Sequence, residues 1–294
     1  MDFSRALDTD HSETLLRMPS WVTSARAERI EDAAFMSGAA LNHLHLLMAR
    51  DDVPVTLIRA RLALRAAEAC VRFSGRPERA GALRDAVHFL RPGDLPGPAG
   101  EVYLSWLRAV ARAVSVRSLN RALPNVEAGR IADYLDAGQG APVCRAAAVL
   151  EAVMRAATQQ EGPALILADA ALSQALGLGH VTPLLAAGLQ RADLRKGVDE
   201  LRRACHRAVV ASVVETVRLA ADLTRRAAHV KAVAPKLRAR GAGEAVEMFL
   251  TRDAVAAAEL PLPPRAARRL CDRLVDLGAV RELTGRDTFR LYGV

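Results

Sequence analysis

Apolar residues return every three or four positions along most of the chain, the spacing of helices that pack by one face. Over residues 28–50, Ile30, Ala33, Ala34, Ser37, Leu41, Leu44 and Leu47 or Met48 keep this spacing and predict a first helix. Pro54 opens a second helix to about Phe73, with Leu57, Ala60 or Arg61, Leu64 and Glu68 on successive turns, and Gly75 and Pro77 break it. A third is predicted over 78–90. Residues 91–98 hold three prolines, which remove amide donors and restrict the residues before them, so this stretch is excluded from helix. Further helices are predicted over 99–119, 125–136, 142–158 and 163–176, punctuated by Gly and Pro. Residues 198–233 carry the longest uninterrupted pattern. Its middle, AVVASVVETVRLAADL, is apolar on most sides and marks a central bundle helix. Nothing before residue 278 alternates with a strand period, so the body over residues 21–240 is predicted to be all-α, with an arm over 1–20.

The last fifty residues follow another plan. Residues 244–251 and 253–259 read as short helices, and Pro263 and Pro264 begin a third that Gly278 stops. Two short apolar runs follow, separated by Gly285 and Arg286, which suit the centre of a type II′ hairpin turn. Three short helices and a β-hairpin are the order of a winged helix-turn-helix, here predicted over residues 241–294. With a two-residue turn, Glu282 faces Phe289, Val280 faces Leu291, Arg281 lies opposite Arg290, and Arg286 occupies the tip.

Composition narrows the class. The 294 residues are 51% hydrophobic but 4% aromatic, which excludes collagen-like, disulfide-scaffold and wholly disordered chains. No apolar run reaches about eighteen residues, so no membrane-spanning helix and no membrane partner are expected. The first twenty residues are polar and unlike a secretory signal. Cys70, Cys144, Cys205 and Cys271 lie too far apart for a CxxC site or a compact disulfide framework. A soluble protein of a reducing, bacterial cytoplasmic compartment is expected. The formal charge is +8, and the 20 basic and 12 acidic residues from Arg195 onward account for all of it. Localised positive charge suits a polyanion-facing surface. Lysine occurs only at 196, 231 and 236, however, and arginine-rich, lysine-poor composition also follows from a GC-rich genome.

On a helical wheel the third short helix buries Ala267, Leu270, Cys271, Leu274 and Leu277. Its other face carries Arg265, Arg268, Arg269, Asp272, Arg273 and Asp276. If the module binds duplex DNA, that face enters the major groove with Arg265 and Arg269 nearest base edges or phosphates. The alternative is a solvated face on which Arg268 or Arg269 pairs with Asp272 and Arg273 with Asp276. In the wing, Arg281 opposite Arg290 is a mildly unfavourable like-charge pair that a phosphate or Asp276 would relieve. Arg225, Arg226, His229, Lys231, Lys236, Arg238 and Arg240 form an acid-free linker. It suits either salt-sensitive phosphate contacts or a solvated helix end.

Common catalytic and nucleotide-binding motifs, among them HExxH, GxSxG, SxxK and GxxxxGK[ST], do not occur. His43 and His45 diverge by about 200° on a helix and make a poor chelating pair. No metal and no cofactor are expected. One polar group, Arg84, Asp85, His88 and Arg91, precedes the proline-rich stretch. Asp85 could orient the His88 imidazole for proton transfer, or the group could brace a loop. Glu215 and Asp222 share one side of the long helix, where metal binding competes with pairing to Arg218, Arg225 and Arg226.

Three strings, LRDAVHFLRPGDLPGPAG (83–100), AVAPKLRARGAG (232–243) and ARRLCDRLVDLGAVRELTGR (267–286), together resemble the bacterial family catalogued as domain of unknown function 1403. The resemblance runs from about Met18 to Val294 and implies no activity, cofactor or active-site residue. The ending is also similar to the winged-helix tails of Fic-related bacterial proteins. The HPFxxGNGR-type motif of Fic AMP transferases is missing, so that activity is not implied. The leading expectation is a noncatalytic protein that binds duplex DNA through a winged helix, its helical domain serving a homodimer or protein partner. A docking subunit using the same module is the alternative, and an enzyme with a site near Asp85 and His88 is the third.

Overall fold

The computed structural model describes residues 18–24, 29–156, 161–237 and 240–294. Along them run α1 (Ser20–Ser24), α2 (Ile30–Met48), α3 (Val55–Phe73), α4 (Ala80–His88), α5 (Gly97–Val110), α6 (Val116–Ala122) and α7 (Ala128–Asp136). Next come α8 (Pro142–Ala156), α9 (Glu161–Ala175), α10 (Leu185–Gly188), α11 (Val198–Val233) and α12 (Ala242–Thr251). The strand β1 (Val255–Ala256), the helix α13 (Pro264–Asp276) and the strands β2 (Arg281–Glu282) and β3 (Leu291–Gly293) complete the order. The protein is an all-α bundle with a C-terminal β-hairpin.

The 36-residue α11 is about 54 Å long at 1.5 Å per residue. It packs against α2, α3, α8 and α10, which explains why its middle is apolar nearly all round. The hydrophobic core is continuous from Val22 to Val294 and passes residue 241 without a break. Ser37 Oγ and His206 Nδ1, both buried, approach to 2.7 Å and join α2 to α11. Close helix contact at α10 requires glycine, because a Cβ on Gly188 would lie 2.4 Å from the Ala208 carbonyl of α11.

Several elements depart from the sequence pattern, each for a local reason. The helix predicted over 99–119 divides into α5 and α6, because Ser115 and Ser118 cap α6 reciprocally, with side-chain to amide distances of 3.1 and 3.0 Å. α5 starts at Gly97 with Pro98 in its first turn, where a missing amide costs little. The helix predicted over 253–259 becomes β1 followed by a 3-10 turn at Ala257–Glu259. Pairing of Val255 with Tyr292 and Ala256 with Leu291 overrides the helical preference of this alanine-rich run.

The hairpin register also differs. Arg281 faces Gly293 and Glu282 faces Tyr292, giving a sheet in the order β1-β3-β2. The two-residue turn at Gly285 and Arg286 therefore does not form, and Arg281 does not face Arg290. Instead residues 283–290 make a wider loop nucleated by Glu282, whose carboxylate accepts the amides of Thr284 and Gly285 at 2.7 Å and the Thr284 hydroxyl. Burial pushes the Glu282 carboxyl up, but these bonds outweigh it and hold it below its ordinary value. Phe289 sits at φ +54, a left-handed conformation that a non-glycine residue adopts only when surroundings impose it.

Asp169 performs the same service deeper in the bundle. It lies on α9, buried without interruption from Ala164 to Ser173. Its carboxylate accepts the amides of Leu184 (3.0 Å), Leu185 (2.8 Å) and Ala186 (3.2 Å), capping α10. Burial pushes this carboxyl up to about 7, against the three amides that pull it down. Asp169→Ala leaves those donors buried without a partner, at roughly 1–3 kcal/mol each. Urea denaturation is expected to show a loss of at least about 3 kcal/mol. Asp169→Asn keeps the oxygen that serves Leu184 and Leu185 and is expected to lose less.

Candidate nucleic-acid interface

α13 exists because its apolar residues fall on one stripe. Ala267, Leu270, Cys271 and Leu274 are buried, and Pro264 in the first turn gives the helix a preset start. The opposite face is open, with Arg265, Arg268, Arg269, Asp272, Arg273 and Asp276 all exposed. None of these four arginines forms an ion pair among the described residues, so neither Asp272 nor Asp276 neutralises its neighbours. Arg265 lies in the first turn of the helix, where the dipole adds to its charge. The C-terminal end is held by the long helix, since His229 Nε2 of α11 donates to the Leu277 carbonyl at 2.9 Å.

The hairpin arginines separate into two groups. Arg281 is exposed and has no ion pair among the described residues. Arg290 is exposed too, donating to the Arg286 carbonyl at 3.0 Å and lying 3.7 Å from Asp287. Arg286 turns inward. It grips Asp85 with two bonds of 2.9 and 2.6 Å, donates to the Phe289 carbonyl, and places its guanidinium 5.3 Å from the Phe89 ring centroid. It is not a free wing tip. Of the linker cations, Lys236 and Arg240 are exposed, and Arg238 lies outside the described residues.

The polar group before the proline-rich stretch is the seat on which this C-terminal segment rests. Arg84 grips Asp253 at 2.6 and 3.1 Å, Asp85 holds Arg286, and His88 Nδ1 donates to Glu259 at 3.2 Å. Phe89 meets Phe289 edge-on at 5.6 Å. Asp85 and His88 thus serve different partners, and the carboxylate does not orient the imidazole. Arg91 joins none of these contacts; its amide donates to Asp94. The chemistry available here is ion pairing across the joint.

Asp253 is its centre. The buried carboxylate also receives Arg61 of α3 at 2.8 Å and the Tyr103 hydroxyl of α5 at 3.4 Å. Arg61 in turn donates to the Val294 carbonyl at 2.9 Å. Burial lowers the pKa of Arg61 despite the attraction of Asp253. For Arg84 burial acts in the same sense, but the bonds to Asp253 prevail and the net direction is up. Gly293 completes the site, since a Cβ there would fall 2.8 Å from the Asp253 carbonyl. The sequence pattern pointed to Arg84, Asp85 and His88 and passed over Arg61, Tyr103, Asp253 and Glu259. The available signal was Arg61 itself, a cation on the apolar stripe of α3.

The sequence profile of the family described as Protein of unknown function (DUF1403) matches residues 6–294. The chain belongs to that family. No curated protein matches it. Membership in DUF1403 brings no assigned chemistry, so function is argued from the geometry above. Elsewhere, Glu215 and Asp222 pair with Arg218 (2.6 Å), Arg225 (3.3 Å) and Arg226 (2.7 Å) along α11. The described residues contain no group of three His, Cys, Asp or Glu suited to a metal ion, and no described helix is long and apolar enough to cross a membrane.

Removing one partner from a buried ion pair leaves the other charge unpaired, at about 3–5 kcal/mol. Asp253→Ala is expected to destabilise the protein by that order and to speed hydrogen exchange over residues 281–294, read by mass spectrometry. Acid should loosen the same joint. Burial pushes the Glu259 carboxyl up, but His88, the Ala256 amide and Arg252 hold it below its ordinary 4.5. Its contribution is therefore complete above that value and lost as pH falls through the lower folded value. Exchange protection of the hairpin is expected to drop in that acid range, and less so in Glu259→Gln.

Proposed function

We propose that residues 241–294 form a winged helix and that the protein binds duplex DNA through it without catalysing a reaction. Support comes first from the order of elements: helix, strand, turn, helix and hairpin, with the first strand pairing to the last. The observation that carries the reading is the open face of α13, where Arg265, Arg268, Arg269 and Arg273 all lack an ion-pair partner among the described residues. Such a face suits the major groove, with the first turns at base edges and phosphates. Arg281 and Arg290 would reach flanking phosphate, with Lys236 and Arg240 adding nonspecific contacts.

Asp272 and Asp276 favour a second reading. Asp272 lies in the C-terminal half of the same face and Asp276 at its end; both would meet phosphate unfavourably, whereas a protein partner of mixed charge would accommodate them. A duplex titrated by fluorescence anisotropy between about 50 and 200 mM salt separates the two. The DNA reading expects log affinity to fall steeply with log salt, and Arg269→Ala, Arg281→Ala or Arg290→Ala to reduce the slope by about 1 each. Arg286→Ala is expected to leave the slope unchanged and to alter stability by no more than about 1 kcal/mol, because its pair with Asp85 is partly solvated. No binding at the lowest salt would end the DNA reading.

A further inference from the structure

α2 has two apolar seams, and only one is covered. Ala33, Ser37, Ala40, Leu44 and Leu47 are buried, facing the core where α2 packs on α11. On the other side Phe35, Asn42, Leu46 and Ala49 are exposed, and with Ala39, half-buried against the core, they follow each other at intervals of four, three, four and three residues. That is the spacing at which one helix meets another along its length. Phe35 is 66% exposed and Leu46 61%, and Trp21 of α1, 47% exposed, stacks on Phe35 at 5.6 Å. No Asp, Glu, Lys or Arg occurs between residues 33 and 49. Interface centres are depleted of charge in this way, whereas a solvated helix face is not.

We infer that this seam is a homodimer interface, α2 packing antiparallel on α2 of a second copy about a two-fold axis at Asn42. Such an axis requires a surface complementary to itself, and the seam has that property. Phe35 falls opposite the partner's Ala49 and Leu46 opposite the partner's Gly38, large on small at both ends. A Cβ on Gly38 would meet nothing within 4 Å, so the recess is open to receive a leucine. Asn42 falls opposite its own copy, where two carboxamides donate to and accept from each other. A single asparagine at the centre of an apolar seam sets register at some cost in stability.

The open apolar side chains supply under half of the area a stable dimer buries. Trp21, Phe35 and Leu46 leave roughly 350 Å² of side chain open, within the size range of functional patches. α2 is about 28 Å long, and contact along that length with α1 alongside brings the buried surface towards the ~800 Å² per partner of a stable complex. The inference does not rest on the DNA reading, since it uses a different surface.

Light scattering on the full chain, at concentrations up to about 100 µM, tests it. A particle of twice 31.5 kDa is expected. Phe35→Asp with Leu46→Asp is expected to weaken association at least a hundredfold while leaving the helical circular dichroism and unfolding midpoint in place, because both side chains are exposed. Asn42→Cys is expected to form an interchain disulfide on mild oxidation, and Leu95→Cys, exposed elsewhere, is not. A monomer at the highest concentration overturns the inference. So does a dimer that survives the double substitution, whether held by residues 1–17 or by another face, and so does an Asn42→Cys chain that stays uncrosslinked.

Discussion

One buried carboxylate governs how the end of this chain meets its beginning. Asp253 lies between α12 and β1 and receives Arg61 of α3, Arg84 of α4 and Tyr103 of α5. Each guanidinium and the carboxylate would be costly to bury alone, and they are tolerable only together. Residues of three helices, spread over 43 positions from Arg61 to Tyr103, must therefore converge wherever Asp253 is placed. Once it is seated, β1 continues from it, β3 pairs with β1, and β2 pairs with β3. The outer contacts, Asp85 with Arg286 and His88 with Glu259, then fall into register along α4.

This arrangement sorts the arginines by what they can still do. Arg61, Arg84 and Arg286 are committed to carboxylates inside the joint. Arg265, Arg268, Arg269, Arg273 and Arg281 point outward with no ion pair among the described residues, and Arg290, though exposed, is held by Tyr292, by the Arg286 carbonyl and by Asp287. An open set of arginines therefore remains on α13 and the hairpin. His229 holds the C-terminal end of α13, and the 3-10 turn packed against α13 is tied to α4 through His88 and Glu259, so the arginines of α13 are presented on an anchored element. Rigid presentation is what recognition of a groove or a docking surface requires.

Helical periodicity made most of the bundle legible, since α2, α3 and α11 each bury a stripe that recurs at the helical spacing. The losses were of particular kinds. The break before α6 depends on a reciprocal serine cap, a signal weaker than the alanine-rich run around it. β1 is two residues long and takes its form from partners 35 and 37 positions away. The hairpin register was inferred from Gly285, but Glu282 and the non-local pair of Arg286 with Asp85 decide it. In the same way Arg84, Asp85 and His88 were visible as a polar group, while their partners in residues 253–286 were not. Ion pairs across the fold have no local signature, and Arg61, a charge on an apolar stripe, was the one visible trace.

If Asp253 ties the hairpin to the bundle as described, the two should unfold together. Trp106, fully buried beside Tyr103 in the bundle, reports the body by fluorescence, and amide exchange at Leu291–Gly293 reports the hairpin. Both followed through one urea titration should give a single midpoint. A hairpin that opens to exchange at lower urea than the tryptophan signal changes would show that the joint does not unite them.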